Sequence, residues 1–449
     1  MSEIKVNTIT KRTGSTLTIG ESGATVSLAS GASQSGFGRA GSVDWSSTVQ
    51  TSNFTAVSGN GYFVNTTSGG ISVTLPASPS AGDIVAISDY AGTADTNRIT
   101  ILRNSSKIEG AASDTSIAKE RQTTTFVYID STQGWLPVNS VNEGTDATSP
   151  LTYTAEYLVV AGGGAGGGGH RSGGGGAGGY RNSYASETSG RNASTETPLT
   201  LTIGSAYTVT VGAGGAVASA ANGNRGSDSS ISGSGITTVT SNGGGGGGEY
   251  QADADAGTYG CGAGCGHQTN ATKTGSDGTS GQGFDGGDIT VTNAIQQGAA
   301  GGGASENGAG GGTTSEARGG AGLASSITGS SVTRAGGGGP GSYGSGEFSR
   351  GGVGGGGAGG SETSTDAHSG VSDGSGYFYG VSGTANTGGG GGGAAGPANS
   401  TQNGAGGSGV VILRVATANY SGTTSGSPTV TTSGSDTIMV FNASGSYTA

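Results

Sequence analysis

The sequence predicts an all-β chain whose largest part is built from extended polyglycine II helices. Glycine supplies 102 of the 449 residues and reaches about one residue in three between residues 162 and 409, far above ordinary usage. Valine-rich runs typical of strands flank this region, as YLVVA at 157–161 and VVILRV at 410–415. Elsewhere, short apolar alternations with a period of two are separated by turn residues.

Composition limits both the core and the partners. Only 31% of the chain is hydrophobic and 10% is charged, so an aliphatic core cannot hold most of it together. Disorder is typical of low hydrophobicity combined with high charge, and the charge here is low. The net charge of −11 argues against a nucleic-acid partner.

No apolar stretch approaches the roughly 18 residues of a membrane helix, so no membrane insertion is expected. The N-terminus lacks the apolar centre of a secretory signal.

Residues 1–43 are predicted to form a fibrous β-shaft or attachment segment. The alternations IKV at 4–6, TLTI at 16–19 and TVSL at 25–28 are too short and too sparsely apolar to fold alone. Three chains wound together would bury one another's thin apolar stripes, which predicts a homotrimer. The opening IKVNTI…TLTIG resembles the N-terminal shafts of bacteriophage tail-fibre proteins, especially those of marine phages.

Residues 44–141 are predicted to form a compact β-domain. Six strand-like runs alternate with turn residues, and Trp135 with Leu136 closes the module. The pattern SVTLP…GDIVAISD…NRITI…GW resembles small β-modules of phage tail fibres. Aspartates beside the strand ends are interpreted as turn formers rather than calcium ligands; they are Asp83, Asp89, Asp95 and Asp130. Residues 142–156 are predicted to be a linker, and the alternating tail 416–449 a β-hairpin around Gly434.

The glycine-rich region, residues 157–415, is predicted to be a packed lattice rather than a flexible linker. Oligoglycine can form a left-handed helix with three residues per turn, whose backbone groups point outward and bond to neighbouring helices. Ordering glycine is entropically costly, so flanking strands must pin the lattice. Collagen is excluded because no strict Gly-X-Y period exists and proline is scarce. A phosphate-binding loop is excluded because no Gly-Lys-Ser/Thr follows any tract.

Over about 260 residues this region resembles the receptor-recognition domains of phage tail-fibre adhesins. The resemblance is carried by YLVVAGGGAGGGG, YTVTVGAGGA, SNGGGGGG and GGSGVVILRV, in that order. It implies a layered sandwich of glycine helices whose distal loops bind a bacterial surface receptor, either a saccharide or an outer-membrane protein. It also implies a virion component, assembled in the host cytoplasm, released by lysis and joined to other tail or baseplate proteins through its N-terminus. Here the domain sits on its own shaft, whereas some of these adhesins are separate caps.

Inserts between the tracts carry most of the region's large side chains. Aromatic and arginine side chains on Gly/Ser loops supply contact area at low entropic cost, and aromatic rings stack on sugars. The alternative is that these rings fill gaps at lattice edges. His170, Arg171 and His368 are interpreted as exposed loop residues. The candidate receptor-binding residues are Tyr180, Arg181, Tyr184, Tyr250, Tyr259, His267, Tyr343, Phe348, Arg350, Tyr377, Phe378 and Tyr379.

No catalytic constellation is evident, and neither a metal nor another cofactor is expected. Cys261 and Cys265 with His267 offer three zinc ligands where a structural site needs four, so a local disulfide or two free thiols is favoured. The leading hypothesis is therefore a non-enzymatic tail-fibre adhesin. A polysaccharide-degrading tailspike would need clustered acidic residues on β-helix repeats. A glycine-rich structural or ice-binding protein would need a regular repeat with one flat face of small residues.

Overall fold

The protein is all-β. The computed structural model describes residues 43–140, 149–268, 270–290, 296–311, 316–343, 348–361, 378–396 and 403–449. The expected shaft over residues 1–43 lies outside the described residues, apart from Val43. Besides strands, the described chain contains two 3-10 segments, Gly190–Asn192 and Thr417–Asn419. No helix in these ranges is long and apolar enough to cross a membrane.

The N-terminal unit consists of two five-stranded sheets, ordered β1-β3-β5-β8-β9 and β10-β7-β6-β4-β2. Each of the six strand-like runs coincides with one of these strands. The central strand β5 is buried along its whole length, which explains the apolar run Ile84–Ile87 with which it begins. The fully buried Phe126 and Trp135 lie in the core of this unit. The strands are β1 (Asp44–Trp45), β2 (Phe54–Thr55), β3 (Asn60–Val64), β4 (Ile71–Thr74), β5 (Ile84–Asp89), β6 (Ile99–Leu102), β7 (Thr115–Ile117), β8 (Thr123–Asp130), β9 (Gly134–Ser140) and β10 (Ser149–Pro150).

Three of the aspartates considered above hold turns. The Asp130 carboxylate accepts hydrogen bonds from the backbone amides of Thr132 and Gln133 at 2.8 and 2.7 Å. Asp83 accepts one from the Ser80 amide at 2.7 Å. Asp89 accepts one from the Ala94 amide at 3.3 Å, five residues further along the chain. These bonds are typical of turn-forming aspartates and support that interpretation.

The segment expected to be a linker is partly strand. β10 pairs with β7 of the N-terminal unit. Residues 152–156 begin the long strand β11 (Thr152–Val160), which pairs with residues 199–202 and then with residues 410–414. The segment TYTAE therefore pairs with residues 199–202 through its first four residues and with β25 through Glu156, and short-range sequence patterns show neither partner. In the described part of 142–156, strand replaces the expected linker.

In the part of the glycine-rich unit that the structure describes, there are two larger sheets and four short two-stranded ones. The first large sheet is ordered β12-β11-β25-β28-β27, with β13 also paired to β11; the second is ordered β16-β15-β14-β29-β26. The remaining strands are β12 (Tyr180–Asn182), β13 (Leu199–Thr202), β14 (Ala206–Thr210), β15 (Ser229–Gly233), β16 (Val239–Ser241), β17 (Thr258–Tyr259), β18 (Asp277–Gly278), β19 (Gln296–Gln297), β20 (Glu316–Arg318), β21 (Leu323–Ser325), β22 (Val332–Arg334), β23 (Ser342–Tyr343), β24 (Phe348–Arg350), β25 (Val410–Ala416), β26 (Thr424–Ser425), β27 (Thr429–Ser433), β28 (Asp436–Phe441) and β29 (Gly445–Thr448).

The central strands β11 and β25 of the first large sheet are buried on both faces. On β11, Tyr157 and Val159 pack into a core shared with the second sheet. Leu158 and Val160 pack on the opposite face, against alanines and Cys261 of the glycine tracts. A strand buried on both faces needs apolar residues at successive positions, which explains the continuous YLVVA run. This sheet therefore joins the glycine tracts to the rest of the fold.

The C-terminal tail contains the expected hairpin, formed by β27 and β28. The tail is also integrated into both large sheets. β28 pairs with β25 in the first sheet, and β29 pairs with β14 in the second. Phe441 and Tyr447 are fully buried in the shared core. The tail thus completes the glycine-rich unit instead of standing apart as a terminal element.

The glycine tracts are held by backbone hydrogen bonds with a period of three residues. Along residues 161–168, successive amides donate to three different segments in turn: 173–179, 221–227 and 404–407. The N···O distances are 2.9–3.1 Å. The pairs are Ala161–Gly179, Gly164–Gly176 and Gly167–Gly173 for the first segment, Gly162–Ser227, Ala165–Asn224 and Gly168–Ala221 for the second, and Gly163–Gly407 and Gly166–Gly404 for the third.

The carbonyls of the same tract accept hydrogen bonds from three further places, residues 244–247, 391–394 and Gly215. This tract is therefore bonded on six sides. A three-residue period with neighbours all round is what side-by-side extended helices of three residues per turn would produce. At the glycine positions of this tract, the neighbouring backbones lie too close to leave room for a side chain. A Cβ at Gly164 would lie 2.0 Å from the Gly245 carbonyl oxygen, and one at Gly166 would lie 2.1 Å from that of Gly392.

Candidate functional site

The glycine tracts have two ends of different character. At the end called here the sheet end, they continue into β11, β12 and β25. At the opposite end, called the distal end, the tract turns back on itself at His170 and Arg171. Three other chain segments reach the same end, because their backbones bond to residues beside this turn. His267 N–H donates to the Arg171 carbonyl, Gly341 N–H donates to that of Ser172, and Gly173 N–H donates to that of Gly248.

The turn itself has an identifiable local cause. Gly169 has a φ of 84° and Arg171 a φ of 49°, so the chain reverses through left-handed backbone at both residues. The Ser172 hydroxyl donates to the Gly167 carbonyl at 2.6 Å, across the turn. The Ser172 hydroxyl oxygen also accepts a hydrogen bond from the Ala394 amide at 2.7 Å, and this bond joins the turn to another tract. Its backbone is therefore tied both to itself and to a neighbour.

Four side chains form an aromatic and basic cluster at this turn. The Arg171 guanidinium carbon lies 4.2 Å from the centre of the Tyr343 ring and 6.0 Å from that of Tyr250. The His170 ring lies 5.4 Å from each of the two tyrosine rings, edge-on to Tyr343. Tyr343 is 39% exposed, whereas Arg171 is only 9% exposed. The cluster thus presents one open ring above a largely covered cation.

His267 lies next to this cluster and is fully buried. Neither of its ring nitrogens has a hydrogen-bond partner among the described residues, and the buried Nε of Arg171 also has none there. Burial lowers the pKa of His267 to about 4, and the positive charge of Arg171 acts in the same direction. Burial likewise lowers the pKa of His170 to about 4, with Arg171 and His267 contributing. At neutral pH both imidazoles are uncharged, so Arg171 alone carries the cluster's positive charge.

The interpretation of His170 and Arg171 as exposed loop residues was wrong. His170 is partly covered and Arg171 is buried, because three neighbouring segments converge on their turn. A sequence feature does mark the position. HRS separates two near-identical tracts, GGGAGGGG and GGGGAGG, as expected for a hairpin of two equal arms. Candidate residues Tyr250, His267 and Tyr343 do meet at this turn.

A second polar site lies at the sheet end, in a cleft of about 890 Å³. On its wall the Arg181 guanidinium contacts the Glu196 carboxylate at 2.6 Å, and the Tyr157 hydroxyl donates to the same carboxylate at 2.7 Å. Burial, then the bond to Glu196, raises the pKa of Tyr157. The Arg181 pKa is also raised, chiefly by its hydrogen bonds to Glu196. Because these groups satisfy one another, the network stabilises the wall of the cleft.

The other candidate residues do not form one site. Tyr180 lies in β12 of the first large sheet, and its side chain is fully buried in the core on the glycine-tract face of that sheet. This burial contradicts its assignment as a receptor contact. Tyr184 packs under Arg414, whose guanidinium carbon lies 4.9 Å from its ring centre. Tyr259 lies in β17 and is half-buried, whereas Arg350 in β24 is exposed. At the distal end, the backbone of Phe378 is bridged to Ser361, and Tyr379 is half-buried. Phe348 begins β24; Tyr377 and His368 lie outside the described residues.

The two cysteines are free and buried. Cys261 packs beneath the first large sheet, whereas Cys265 packs with Ile289 and Ala299. Burial raises the pKa of each thiol to about 12. Of the two alternatives for this pair, the structure has the free thiols. Within the described ranges, no group of three or more His, Cys, Asp or Glu side chains could hold a metal ion.

Comparison with known proteins identifies the larger unit. No curated protein matches the chain. The family described as "Glycine-rich domain" matches residues 138–416, which is more than half of the sequence. The matched range begins at the end of the N-terminal unit and finishes at the last residue of β25. The chain therefore belongs to the glycine-rich domain family.

Proposed function

We propose that this chain is a bacteriophage tail-fibre protein that attaches the virion to its bacterial host. The observation that carries the proposal is the cluster at the distal end, where one exposed tyrosine, Tyr343, covers an arginine at the tip of a glycine hairpin. Exposed aromatic and arginine side chains are the groups that dominate recognition surfaces. The resemblance of the N-terminal segment and glycine-rich region to tail-fibre adhesins points the same way.

The glycine tracts supply the rigid support that such a surface needs. Their period-three bonding supports polyglycine II helices as the scaffold. A lattice bonded on six sides holds loops at its tip without an aliphatic core. The hydrogen bonds across the His170 turn restrict the conformations of the free protein, so less entropy is lost on binding. In this proposal residues 1–43 join three chains into a shaft and connect it to the tail, and the assembled virion is released by lysis.

Cell binding tests the proposal directly. We expect the full chain, fused to a fluorescent protein, to bind a subset of Gram-negative bacteria in a panel that includes marine isolates, as measured by flow cytometry. The fluorescent protein alone is the control. The proposal would be contradicted if the fusion protein labelled no strain more strongly than the fluorescent protein alone. Release of reducing sugar from the bound cells would instead favour the polysaccharide-degrading tailspike.

A further inference from the structure

Arg171 is a largely covered cation with no counter-ion among the described residues. It is 9% exposed, and it forms neither an ion pair nor a side-chain hydrogen bond with the residues that the structure describes. A covered guanidinium normally pairs with a carboxylate or a phosphate. The other covered arginine at a candidate site, Arg181, is paired in this way with Glu196 at 2.6 Å. The contrast shows that the lattice can provide an acidic partner, whereas none of the described residues provides one at Arg171.

The groups around Arg171 are neutral and hydrogen-bonding. The rings of Tyr343, Tyr250 and His170 contact its guanidinium or one another. The contact of the guanidinium with the Tyr343 ring offsets part of the cost of covering the charge through a cation–π interaction. The Nε atom of Arg171 has no hydrogen-bond partner among the described residues, so this contact leaves its hydrogen-bonding capacity unused. The buried, unpartnered nitrogens of His267 add unused donor and acceptor capacity beside the same residue.

We infer that this cluster binds an acidic sugar, with the anionic group on Arg171 and a pyranose face on Tyr343. The inference rests on the proposed function, since it names the chemistry of the receptor at the distal end. A carboxylate or a phosphate would complete the missing ion pair with charge-assisted hydrogen bonds. The exposed face of Tyr343 offers the apolar platform on which the C–H groups of a sugar ring pack.

A saccharide fits better than an acidic protein segment. The cluster offers a single exposed ring beside one cation, an area matched to one sugar residue, whereas a standard protein interface buries roughly 800 Å² per partner. The exposed aromatic side chain at this turn is Tyr343, at 39%. The sugar's charge can come from a carboxylate or from a phosphate ester, and the two sources are separated by the choice of probe.

Calorimetric titration of the full chain tests the inference. The probes are trigalacturonic acid for the carboxylate, mannose 6-phosphate for the phosphate, neutral galactotriose, and a hexaglutamate peptide. We expect binding of at least one acidic sugar and at least tenfold weaker binding of the neutral one, because one charge-assisted bond corresponds to about 1.5–3 kcal/mol. We also expect Arg171→Gln and Tyr343→Ala each to lower the affinity for the acidic sugar at least tenfold. Arg225→Gln, which changes an exposed arginine outside the cluster, should leave its affinity unchanged.

Tyr343→Ala keeps the test informative if Arg171→Gln fails to fold, because Tyr343 is exposed. No binding of either acidic sugar at millimolar concentration would overturn the inference. Equal affinity for neutral and acidic sugars would also overturn it, as would tighter binding of the peptide than of both acidic sugars. The cell-binding assay keeps this result separate from the proposed function. If Arg171→Gln and Tyr343→Ala leave binding to cells unchanged, the proposed function stands and the receptor is contacted by other residues.

Discussion

The Gly164 amide donates a 2.9 Å hydrogen bond to the Gly176 carbonyl, although neither residue belongs to a strand. The bond lies midway along the hairpin that turns at His170 and Arg171. Bonds of this kind hold the two arms together where no side chains are present to pack. The stability of the lattice therefore depends on close approach of backbones, and it should be unusually sensitive to an added methyl group.

We expect Gly164→Ala to destabilise the glycine-rich unit by about 3 kcal/mol or more. The new Cβ would lie 2.0 Å from the Gly245 carbonyl oxygen, and overpacking against backbone is costly. The matched control is Ala165→Gly in the next position, which should cost about 1 kcal/mol through backbone entropy. Tyrosine fluorescence during urea unfolding measures the loss. Both tryptophans, Trp45 and Trp135, lie in the N-terminal unit and report on it separately. Equal effects of the two substitutions would contradict a close-packed lattice.

Tyr447 fastens the C-terminal tail to the start of the glycine-rich unit. Its hydroxyl lies 2.7 Å from that of Tyr153, and its ring is fully buried. We expect Tyr447→Ala to cost roughly 3–5 kcal/mol, as for other buried aromatic residues. Tyr447→Phe should cost about 1 kcal/mol, because only the hydrogen bond is removed. The control Val430→Ala, at an exposed position of β27, should change stability by less than about 0.5 kcal/mol. A tail that unfolds separately from the unit, seen by hydrogen exchange, would disprove this fastening.

The Arg181–Glu196 pair should contribute more than an exposed pair of equal length. The two partners are 28% and 19% exposed at 2.6 Å, whereas Arg318 and Glu306 are 50% and 45% exposed at 2.7 Å. A double-mutant cycle with Arg→Met and Glu→Gln should give a coupling of about 1–3 kcal/mol for the first pair. The exposed pair should give less than about 1 kcal/mol. Similar couplings for both would show that the wall of the cleft is fully solvated.

His267 should make the fold sensitive to mild acid. Its pKa in the folded chain, about 4, is below its ordinary value of 6.5, so the unfolded chain binds more protons between these values. Stability is therefore complete above pH 6.5 and falls as the pH is lowered toward 4. We expect a loss of about 2 kcal/mol at pH 5 from this residue, which His267→Leu should remove. Urea midpoints at pH 7 and pH 5 measure the effect. An imidazole that titrates near pH 6.5 by NMR would refute the argument.

Local sequence patterns predicted the strands better than their partners. The runs around Ile84 and Phe126 are apolar enough to identify β5 and β8, because burial demands such residues in any arrangement. The pairing of residues 152–156 with β13 and β25 was not predictable, since those partners lie tens to hundreds of positions away. The burial of Tyr180 was equally unpredictable. A tyrosine in a glycine-rich insert has the residue type of a receptor contact, and only the folded sheet shows that it is buried.

The distal cluster shows the same division. Tyr250, His267 and Tyr343 were identified as candidates by residue type, and their convergence on one turn follows from bonds between distant tracts. Arg171 was missed because it lies in a short insert between two glycine tracts, and such an insert suggests an exposed loop. Its burial comes from Tyr343, which is remote in the chain and stacks 4.2 Å from it.

Composition by itself determined that a conventional core cannot hold the glycine-rich region together, because 102 glycines leave too few side chains for one. Backbone hydrogen bonds or assembly between chains must therefore supply the cohesion. The flanking valine runs likewise determined that strands would anchor the glycine tracts. Tertiary structure alone decided which tracts are neighbours, that the C-terminal tail completes both sheets, and that Arg171 is covered with no counter-ion among the described residues. The physical reason is that glycine carries no side chain to specify a partner. Register and neighbours are therefore set by the packing of the whole lattice, and only the assembled fold brings the distal residues together.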